Sequence, residues 1–468
     1  MEQIIQHVRS YLDKIFEIRI AGITDLDAAA SVIAEDSREL SRNILQVFIE
    51  EMNLELREDK TARKNMGLVM HEKDRERKLL TELGEIRFDR DYYNKQKGKY
   101  EYPLDKMLSV QARARIGDTI SAKLVTKATE ESYAKSAEEV TGGAVSRQTV
   151  RNHILKTPAL EKEPEGAKKV RKILDIYADE DHVHLQKPGK EKGKKNKTVP
   201  LVTVTEGKVR VNKGRNETLN PMHFVDEKMD GKELWASVEG YIDKAYETEE
   251  IELIRIHGDG GRWIKNGLEN LANVEHVLDG YHLQKYLKAM DRQFPGYSVR
   301  SRINKALAAN NRERVEAIIG ALIAKCKDRK EYEKAEEVKS YLFTNWEAAV
   351  NRLREGMTGS CTEGQVSHVL SERFSRNPMG WSEEGLGKLS KLRVYCKNGG
   401  KIKAEHLKKD RKGNESYKEY AKRYLEEQKK GINTDWMNDL TERYVFDTTS
   451  GTQQGIKKLG RIHTDHLC

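Results

Sequence analysis

Cysteine and proline are scarce in this chain, which has 4 cysteines and 8 prolines among 468 residues. The cysteines are widely separated and form no Cys-x-x-Cys pair, so neither a disulfide framework nor a structural zinc site is expected. No stretch approaches the roughly 20 apolar residues of a membrane span. The first residues lack a basic segment followed by an apolar run. These absences predict a soluble, cytoplasmic protein with no membrane partner.

Charge is abundant by comparison. Charged residues make up 34% of the chain, the formal net charge is +9 and the pI is about 9.0. The hydrophobic content of 37% is sufficient for globular packing, and the length predicts two to four domains. The positive net charge favours a polyanionic partner such as nucleic acid, although it does not determine the fold.

The first 80 residues predict helices, because apolar residues recur there at helical spacing from Ile4 to Ile15 and again from Leu40 to Leu56. Between Gly84 and Tyr102 the pattern changes to a partial alternation with several Arg and Tyr residues, which predicts a small β-hairpin. Exposed tyrosines beside cations are suited to nucleic acid, but an ordinary hairpin explains them equally well.

Residues 118–157 predict a helix-turn-helix. A short helix over residues 132–140 ends at two glycines, and Ser146 is a suitable N-cap for a second helix. In this motif the second helix presents its N-terminal polar side chains to base edges. The predicted DNA-binding residues are therefore Arg147, Gln148 and Arg151. A plain helical hairpin is the alternative, which is disfavoured because polar and basic residues occupy the face that a bundle would bury.

After a charged linker, strands and helices alternate. The predicted strands cover residues 173–178 with continued alternation to 185, a hairpin of residues 199–205 and 208–211, and residues 251–256 and 274–278; helices are predicted over residues 232–246 and 262–271, and a lysine-rich loop over residues 187–197. The order of three strands, helix, strand, helix and strand is typical of a ribonuclease-H-like mixed sheet. In that arrangement the first and fourth strands are neighbours.

Aspartates stand where the first and fourth predicted strands end, at Asp179 and Asp259. Because these strands are expected to be neighbours, their carboxylates are expected to meet. Two Mg²⁺ ions roughly 3.5–4 Å apart can then activate an attacking oxygen and stabilise a leaving one. Magnesium prefers oxygen ligands and keeps several waters, so two or three carboxylates suffice. Asp181 is the alternative to Asp179 as the first ligand.

Several motifs together carry a resemblance to a known family. They are Asp-Glu-Asp-His-Val-His within residues 178–186, His-Gly-Asp-Gly-Gly-Arg-Trp within 257–264, Leu-Asp-Gly-Tyr-His at 278–282, Thr-Glu-Gly-Gln within 359–368 and Asn-Pro-Met-Gly-Trp at 377–381. In their order and spacing the chain resembles the ISLre2 family of bacterial insertion-sequence transposases, within the DDE superfamily. With the N-terminal hairpin and helix-turn-helix, the resemblance covers most of the chain.

The resemblance implies a DNA transposase that binds the terminal inverted repeats of its element in double-stranded DNA, cleaves them, and joins the 3′-hydroxyl to target DNA. It implies a catalytic and metal-binding triad with two Mg²⁺ ions, for which Mn²⁺ can substitute; the triad residues are Asp179, Asp259 and Glu363. Glu372, Glu383 and Glu384 are rivals of Glu363. Asp279 and His282 look like a supporting C/D-x-x-H signature outside the triad. A homo-oligomer on paired ends and association with the bacterial nucleoid are also implied.

The expected architecture is α/β and multidomain, with an all-α insertion in the ribonuclease-H-like core. The predicted segments are a helical region (1–80), a β-hairpin region (81–117), the helix-turn-helix (118–157), the first part of the core (170–282), the helical insertion (283–358), the final core helix with the glutamate (359–395) and a charged tail (396–468). Two other functions are open: a transposase-derived DNA-binding protein without catalysis, and a metal-dependent nuclease.

Overall fold

A computed structural model of the chain describes residues 2–20, 25–95, 98–186, 195–212, 215–226, 228, 231–354, 357, 361–377, 379–407 and 415–430. The chain divides into two compact units, one of residues 1–121 with 408–468 and one of residues 122–407. Most of the predicted lysine-rich loop, the start of the motif at 359–368 and the tail beyond residue 430 lie outside the described residues.

Helices and strands are numbered along the chain. The helices are α1 (Glu2–Ile20), α2 (Leu26–Glu58), α3 (Lys60–Asn65), α4 (Pro103–Met107), α5 (Asp118–Glu130), α6 (Tyr133–Thr141), α7 (Arg147–Lys156), α8 (Gly231–Ala245), α9 (Arg262–Asn270), α10 (Gly280–Gln293), α11 (Val299–Ala308), α12 (Arg312–Ile323), α13 (Arg329–Thr344), α14 (Trp346–Asn351), α15 (Thr362–Val366), α16 (Glu372–Phe374), α17 (Glu383–Lys397), α18 (Ala404–Leu407) and α19 (Glu415–Lys430). A 3₁₀ turn covers Thr248–Glu250, and a π turn over Ser367–Ser371 joins α15 to α16. The strands are β1 (Leu68–Thr81), β2 (Gly84–Lys95), β3 (Lys99–Glu101), β4 (Ile173–Leu185), β5 (Lys195–Thr205), β6 (Lys208–Asn212), β7 (Arg215–Thr218), β8 (Met222–Phe224), β9 (Leu253–Gly258) and β10 (Val274–Leu278).

The first unit packs helices against an antiparallel sheet of order β1-β2-β3. The prediction of helix up to about residue 80 is wrong beyond Asn65, because residues 68–81 form β1. The middle of β1 is charged and exposed, so no apolar alternation marked it as a strand. Part of the predicted charged tail is α19, which buries Tyr417, Tyr420 and Tyr424 in the core of this unit.

Buried carboxylates in the first unit are paired with arginines. Asp91 is fully buried and accepts hydrogen bonds from Arg57 Nε at 2.8 Å and Nη2 at 2.6 Å, and from the backbone N–H of Asp74 at 3.1 Å. Asp105 accepts from both Arg77 and Arg90. Pairing with a cation offsets part of the desolvation cost of a buried carboxylate, although burial still raises the pKa of Asp105.

The second unit is built on a five-stranded mixed sheet of order β10-β9-β4-β5-β8. Strands β4, β9 and β10 are parallel to one another, and β5 is antiparallel to both β4 and β8. The first and fourth strands, β4 and β9, are therefore neighbours, as the sequence pattern predicted. Helices α8 and α9 bury one face of this sheet; Trp235, Leu174, Ile176, Ile254 and Ile256 belong to the same core cluster.

The predicted hairpin of residues 199–205 and 208–211 is wrong. β6 pairs with β7 in a separate two-stranded ribbon, and the strand that pairs with β5 is β8. Val209 and Val211 of β6 are about half exposed. Their alternation with polar residues therefore wrongly predicted a strand with one buried face in the main sheet. β8 has only three residues, which is too short for a periodic signal.

Helices α10 to α14 have a hydrophobic core of their own, as expected for the helical insertion; Leu283, Leu287, Ile303, Leu307, Ile319 and Leu342 are among its buried members. The insertion is joined to the sheet through its last helix. Asn351 Nδ2 donates to the backbone carbonyl of His276 in β10 at 2.9 Å, and Arg354 forms an ion pair with Glu275.

The two helices predicted for the helix-turn-helix are present as α6 and α7. Ser132 and Ser146 cap them through hydrogen bonds to backbone N–H groups, and Gly142 takes the left-handed conformation (φ 57°) that ends α6. Val150 and Ile154 are fully buried, and α7 packs against α17. In the part of the chain that the structure describes, no helix is long and apolar enough to cross a membrane.

Candidate active site

Three aspartates lie side by side at one edge of the second unit's sheet. Asp179 lies within β4, while Asp259 and Asp279 directly follow β9 and β10. The register pairs Tyr177 with His257 and Leu278 with Gly258, so continuing each strand brings the three aspartates to the same level. Parallel neighbours are about 4.8 Å apart. We call Asp179, Asp259 and Asp279 the acidic edge.

The sequence predicted that Asp179 ends its strand. In the structure β4 continues past Asp179 without a break to Leu185. Asp179 is buried, at 8% exposure, and accepts a hydrogen bond from the backbone N–H of Glu180 at 2.8 Å. Burial, with smaller contributions from the charges of Asp259 and Asp279, raises its pKa to about 7. The surroundings of Asp179 therefore disfavour the charged form of its carboxyl group.

His282 lies in direct contact with one aspartate of the acidic edge. Its Nδ1 lies 3.0 Å from Asp279 Oδ2, and its backbone N–H donates to the same oxygen at 3.1 Å, so that Asp279 caps α10. This hydrogen bond, together with the charges of the three aspartates, raises the pKa of His282. The predicted supporting pair thus lies beside two members of the predicted triad.

The glycines around Asp259 allow the backbone to turn there. Gly260 has φ +86°, and a Cβ at this position would collide with the side-chain amide of Asn345 from the insertion. Gly261 donates its backbone N–H to Asp259 Oδ1 at 2.8 Å. The Asp259 carboxylate is consequently fixed by its own turn.

Asp181, the alternative first ligand, has a different environment. Its Oδ1 accepts from Ser375 Oγ at 2.9 Å, just beyond α16, and burial raises its pKa. By the strand register it is Asp179 that stands beside Asp259.

Glu363 does not form a metal-ligand cluster with the aspartates of the acidic edge. It is exposed in the first turn of α15, a helix that packs against β4. Among the described residues its carboxylate makes no hydrogen bond or ion pair, and no three His, Cys, Asp or Glu side chains are placed to hold one metal ion. Of its rivals, Glu372 pairs with His368 and Arg393, Glu383 pairs with Lys197, and Glu384 is exposed at the start of α17.

The helical insertion brings three residues to the acidic edge that the sequence analysis did not identify: Tyr341, Asn345 and Arg352. The guanidinium group of Arg352 occupies the space that a Cβ at position 280 would need. Burial lowers the pKa of Arg352, and the nearby Asp279 opposes that change. Tyr341 has a raised pKa, through burial and the charges of Asp259 and Asp279. Periodicity had marked this segment only as helical, and it gave no sign of which polar residues face the sheet.

The predicted DNA-binding residues lie at the start of α7. Arg147 and Gln148 are exposed and Arg151 is half-buried. They line a cavity of about 630 Å³ together with residues of the core, among them Trp381. The structure brings Arg147, Gln148 and Arg151 together in the lining of this cavity. The cavity lies near the end of β4, beyond Asp179 of the acidic edge.

Comparison with known proteins gives a family without an assigned activity. Residues 22–412 match the model of an uncharacterised protein family, UPF0236. One relative from Caldanaerobacter subterraneus subsp. tengcongensis, named as a UPF0236 protein with eleven numbered designations, is 39% identical over 83% of this chain and 81% of its own length. Another from that organism, with four designations, is 36% identical over 92% of this chain and 91% of its own length.

A more distant relative, the UPF0236 protein in the vanSb 3′ region of Streptococcus gallolyticus, is 25% identical over 68% of this chain and 72% of its own length. Among solved structures, the Drosophila P element transposase strand transfer complex aligns with 69% of this chain and 95% of that chain. Its TM-score is 0.22 at 13% identity, which is too low to establish a common fold.

Proposed function

This chain belongs to the uncharacterised protein family UPF0236, and we propose that it is a DDE-type DNA transposase with a ribonuclease-H-like core, similar to the ISLre2 insertion-sequence family. One observation supports this most: the three carboxylates of the acidic edge stand in register on neighbouring strands, and the pKa of Asp179 is about 7. A carboxyl group with a strongly perturbed pKa that lies beside other carboxylates is typical of catalytic sites. The sheet order, with β4 between β5 and β9, is the order expected of a ribonuclease-H-like core.

The names of the relatives support a mobile element. We interpret the eleven designations of one Caldanaerobacter protein, and the four of another, as separate genes for nearly the same protein in one genome. A sequence present at many places in a genome is the product expected of transposition, whereas a housekeeping nuclease needs only one gene.

The residues present suit a magnesium site. Asp179 and Asp259 offer oxygen ligands. The pKa of Asp179 is raised mainly by burial and to a smaller extent by the charges of Asp259 and Asp279, and a bound cation would favour its charged form. Among the described residues no three such side chains are placed to hold one ion, and Mg²⁺ needs only one or two carboxylates because it keeps waters and binds substrate phosphates. In the proposal Asp179, Asp259 and Glu363 would hold two ions, which would activate the attacking oxygen and stabilise the leaving one. Mn²⁺ can replace Mg²⁺.

The remaining residues of the site position the substrate and the ligands. Asp279 fixes the start of α10 and orients His282, so it supports the edge without belonging to the triad. Arg352 makes no ion pair with a described residue, and its guanidinium group lies against Gly280, next to Asp279. We infer that it contacts the scissile phosphate, since a cation beside developing negative charge lowers the barrier to phosphoryl transfer.

DNA recognition is assigned to α6 and α7, whose cationic residues bind the terminal inverted repeats in double-stranded DNA. After cleavage, the 3′-hydroxyl is joined to target DNA. A homo-oligomer on paired ends is part of the proposal.

The experiment uses the full-length protein and a plasmid that carries the DNA flanking its gene on both sides. With Mg²⁺ or Mn²⁺ we expect nicking at defined positions and joined products, and with EDTA neither. Asp259→Asn is expected to abolish both, whereas Asp243→Asn, an exposed aspartate of α8, keeps them. Site-specific binding without any metal-dependent cleavage would instead indicate a DNA-binding protein, and equal degradation of unrelated DNA and RNA a nuclease.

A further inference from the structure

The cavity at the start of α7 is bounded on one side by the DNA-binding helices and on the other by the segment that precedes α17. Its volume is about 630 Å³, and its lining includes Tyr133, Arg147, Gln148, Arg151, Arg373 and Trp381. Three arginines and no acidic residue line it, in a chain where acidic residues are nearly as numerous as basic ones. We call it the arginine cavity. Its composition is that of a binding site for an anion.

Arg373 is the deepest of these arginines, at 3% exposure. Its Nε donates to the backbone carbonyl of Ala128 at 3.0 Å, and its guanidinium carbon lies 4.7 Å from the centre of the Trp381 indole ring. Burial lowers its pKa to about 10, and the positive charge of Arg393 contributes to the lowering. Among the described residues Arg373 forms no ion pair with a carboxylate.

The neighbouring Arg393 shows how a buried guanidinium is satisfied when its role is structural. It is 1% exposed and pairs with Glu130 at 2.7 Å, and it donates to the carbonyls of His368 and Thr129 at 3.0 and 2.7 Å. A buried cation without such a partner is costly. Arg373, which lines the cavity, has a carbonyl and an aromatic ring as neighbours but forms no ion pair with a described carboxylate, so an anion in the cavity would supply a countercharge.

Arg147 and Arg151 add charge from the opposite wall. They are four residues apart on α7 and therefore lie on the same side of the helix. Neither forms an ion pair with a described residue. Arg147 is also the first residue of the helix, where unpaired backbone N–H groups and the helix dipole attract anions.

We propose that the arginine cavity binds a backbone phosphate of one DNA strand, so that the strand passes between the helix-turn-helix and the catalytic core. This inference rests on the proposed function and differs from the sequence prediction on one point: Arg147 and Arg151 hold the sugar-phosphate backbone instead of reading bases. Guanidinium groups are well suited to this because their planar donors match two phosphate oxygens at once.

The position of the cavity also fixes where the phosphate lies. Gln186, in its wall, is seven residues beyond Asp179 along the same extended segment, which corresponds to roughly 23 Å at about 3.3 Å per residue. DNA rises about 3.4 Å per base pair along each strand. If the DNA axis runs along β4, the bound phosphate lies roughly seven base pairs from the cleaved bond.

The first test is the salt dependence of binding, measured in EDTA by fluorescence anisotropy with the full-length protein. The probes are a 30-base-pair duplex from the DNA that flanks the gene and an unrelated duplex of the same length. We expect Arg147→Ala and Arg151→Ala each to weaken binding about fivefold at 0.15 M salt on both duplexes, and to reduce the slope of log K against log salt by about 0.9, as the loss of one phosphate contact does. Arg302→Ala, an exposed arginine of α11, is the control and should leave both quantities unchanged.

Two outcomes would overturn the inference. One is a loss of affinity confined to the flanking duplex with an unchanged salt slope, which identifies base readers. The other is unchanged binding to both duplexes. Because no metal is present, the binding result does not depend on cleavage. Reduced slopes in a protein that never cuts DNA would contradict the proposed function but not the phosphate site. Unchanged slopes in an enzyme that cuts DNA would contradict the phosphate site but not the proposed function.

The second test locates the phosphate on the DNA. It uses Arg373→Lys because Arg373 is buried, and its replacement by alanine could prevent folding. Single phosphates of the flanking duplex are replaced by uncharged methylphosphonates. In the wild type we expect a several-fold loss of affinity at one to three positions roughly seven base pairs from the cut. Arg147→Ala and Arg373→Lys should reduce that penalty, because the contact is already weakened. A penalty that is the same in these variants as in the wild type would contradict a site for the DNA backbone. So would inorganic phosphate or dAMP that binds in the cavity and is not displaced by duplex DNA.

Discussion

Buried aspartates occur in both units of this protein, and their surroundings differ in kind. In the first unit Asp91 and Asp105 each meet one or two guanidinium groups, and Asp91 also accepts a backbone N–H. At the acidic edge of the second unit, Asp179 has one backbone N–H and two further carboxylates as neighbours, and the histidine nearby is bonded to Asp279.

The difference indicates what each group is for. A buried carboxylate with matched partners contributes to a fixed structure, and removal of one partner is costly because a charge is left alone. A buried carboxylate with like-charged neighbours destabilises the protein at neutral pH, and such an arrangement persists where a bound cation or a substrate compensates for it. Mutations in the two regions should therefore have opposite effects on stability and different effects on activity.

The largest expected effect concerns the glutamates. Glu363→Gln should lower the rate of metal-dependent cleavage at least 10³-fold, which corresponds to about 4 kcal/mol, because the proposed triad loses a ligand. Glu372→Gln is the matched control: its carboxylate is already paired with His368 and Arg393, so we expect the folded protein to cleave at a rate within about fivefold of the wild type. Single-turnover cleavage measures both. A reversed order of the two variants would move the triad to Glu372.

Stability should respond in opposite directions to amide substitution in the two regions. The pKa of Asp179 is raised to about 7 in the folded chain, against about 3.9 in the unfolded one. The free energy of unfolding consequently falls as pH rises from about 4 to about 7, and Asp179→Asn removes that loss. The variant should gain up to about 4 kcal/mol at pH 8 and almost nothing at pH 4.

The matched variant in the first unit is Asp91→Asn. It breaks the ion pair with Arg57 and should cost about 3 kcal/mol at pH 8. Urea denaturation at pH 4 and pH 8 measures the free energy of unfolding of both variants, Asp179→Asn and Asp91→Asn. Destabilisation by Asp179→Asn at pH 8 would mean that the acidic edge is a satisfied structural network, and the contrast between the regions would disappear.

Arg352→Ala tests the cation at the acidic edge. We expect cleavage to fall about 10²-fold, or about 2.7 kcal/mol, with the loss in the cleavage step rather than in DNA affinity, because the contact forms with the scissile phosphate alone. Arg314→Ala, exposed in α12, serves as the control. Gly280→Ala should imitate Arg352→Ala, since the added methyl group displaces the guanidinium. An Arg352→Ala variant with weaker DNA binding and an unchanged single-turnover rate would exclude this role.

The smallest expected effect is that of the metal on stability. At ten times its dissociation constant, Mg²⁺ should raise the free energy of unfolding by about 1.4 kcal/mol. The gain should be larger at pH 8 than at pH 6, where Asp179 retains its proton in much of the population. Thermal denaturation with Mg²⁺ and with EDTA provides the measurement. Asp259→Asn should lose the gain and Asp91→Asn should keep it.

The sequence predicted the segments in which local signals are strong. β10 covers residues 274–278, as its apolar run indicated, and Ser132 and Ser146 cap the helices that they were predicted to cap. Asp259 and Asp279 directly follow their strands for the same reason: an apolar run that stops at a carboxylate marks a strand end.

The segments that were missed depend on contacts distant in sequence. β1 is charged along its exposed middle and is a strand because β2 pairs with it. β8 has three residues and needs β5 beside it. Arg352 lies in a helical segment, and nothing local shows that its side chain packs on Gly280, more than seventy residues earlier. Whether Glu363 completes the triad remains a prediction.

The packing of α7 against α17 has a consequence for synthesis of the chain. Helices α6 and α7, to which DNA recognition is assigned in the proposal, end at Lys156. Helix α7 rests on α17, which begins at Glu383, and Arg393 of α17 hydrogen-bonds the end of α5. During translation more than two hundred residues must leave the ribosome before this support exists. A nascent or truncated chain that stops before α17 therefore lacks the support on which α6 and α7 rest. If these helices bind DNA as proposed, that binding should become possible only late in synthesis, after α17 has emerged.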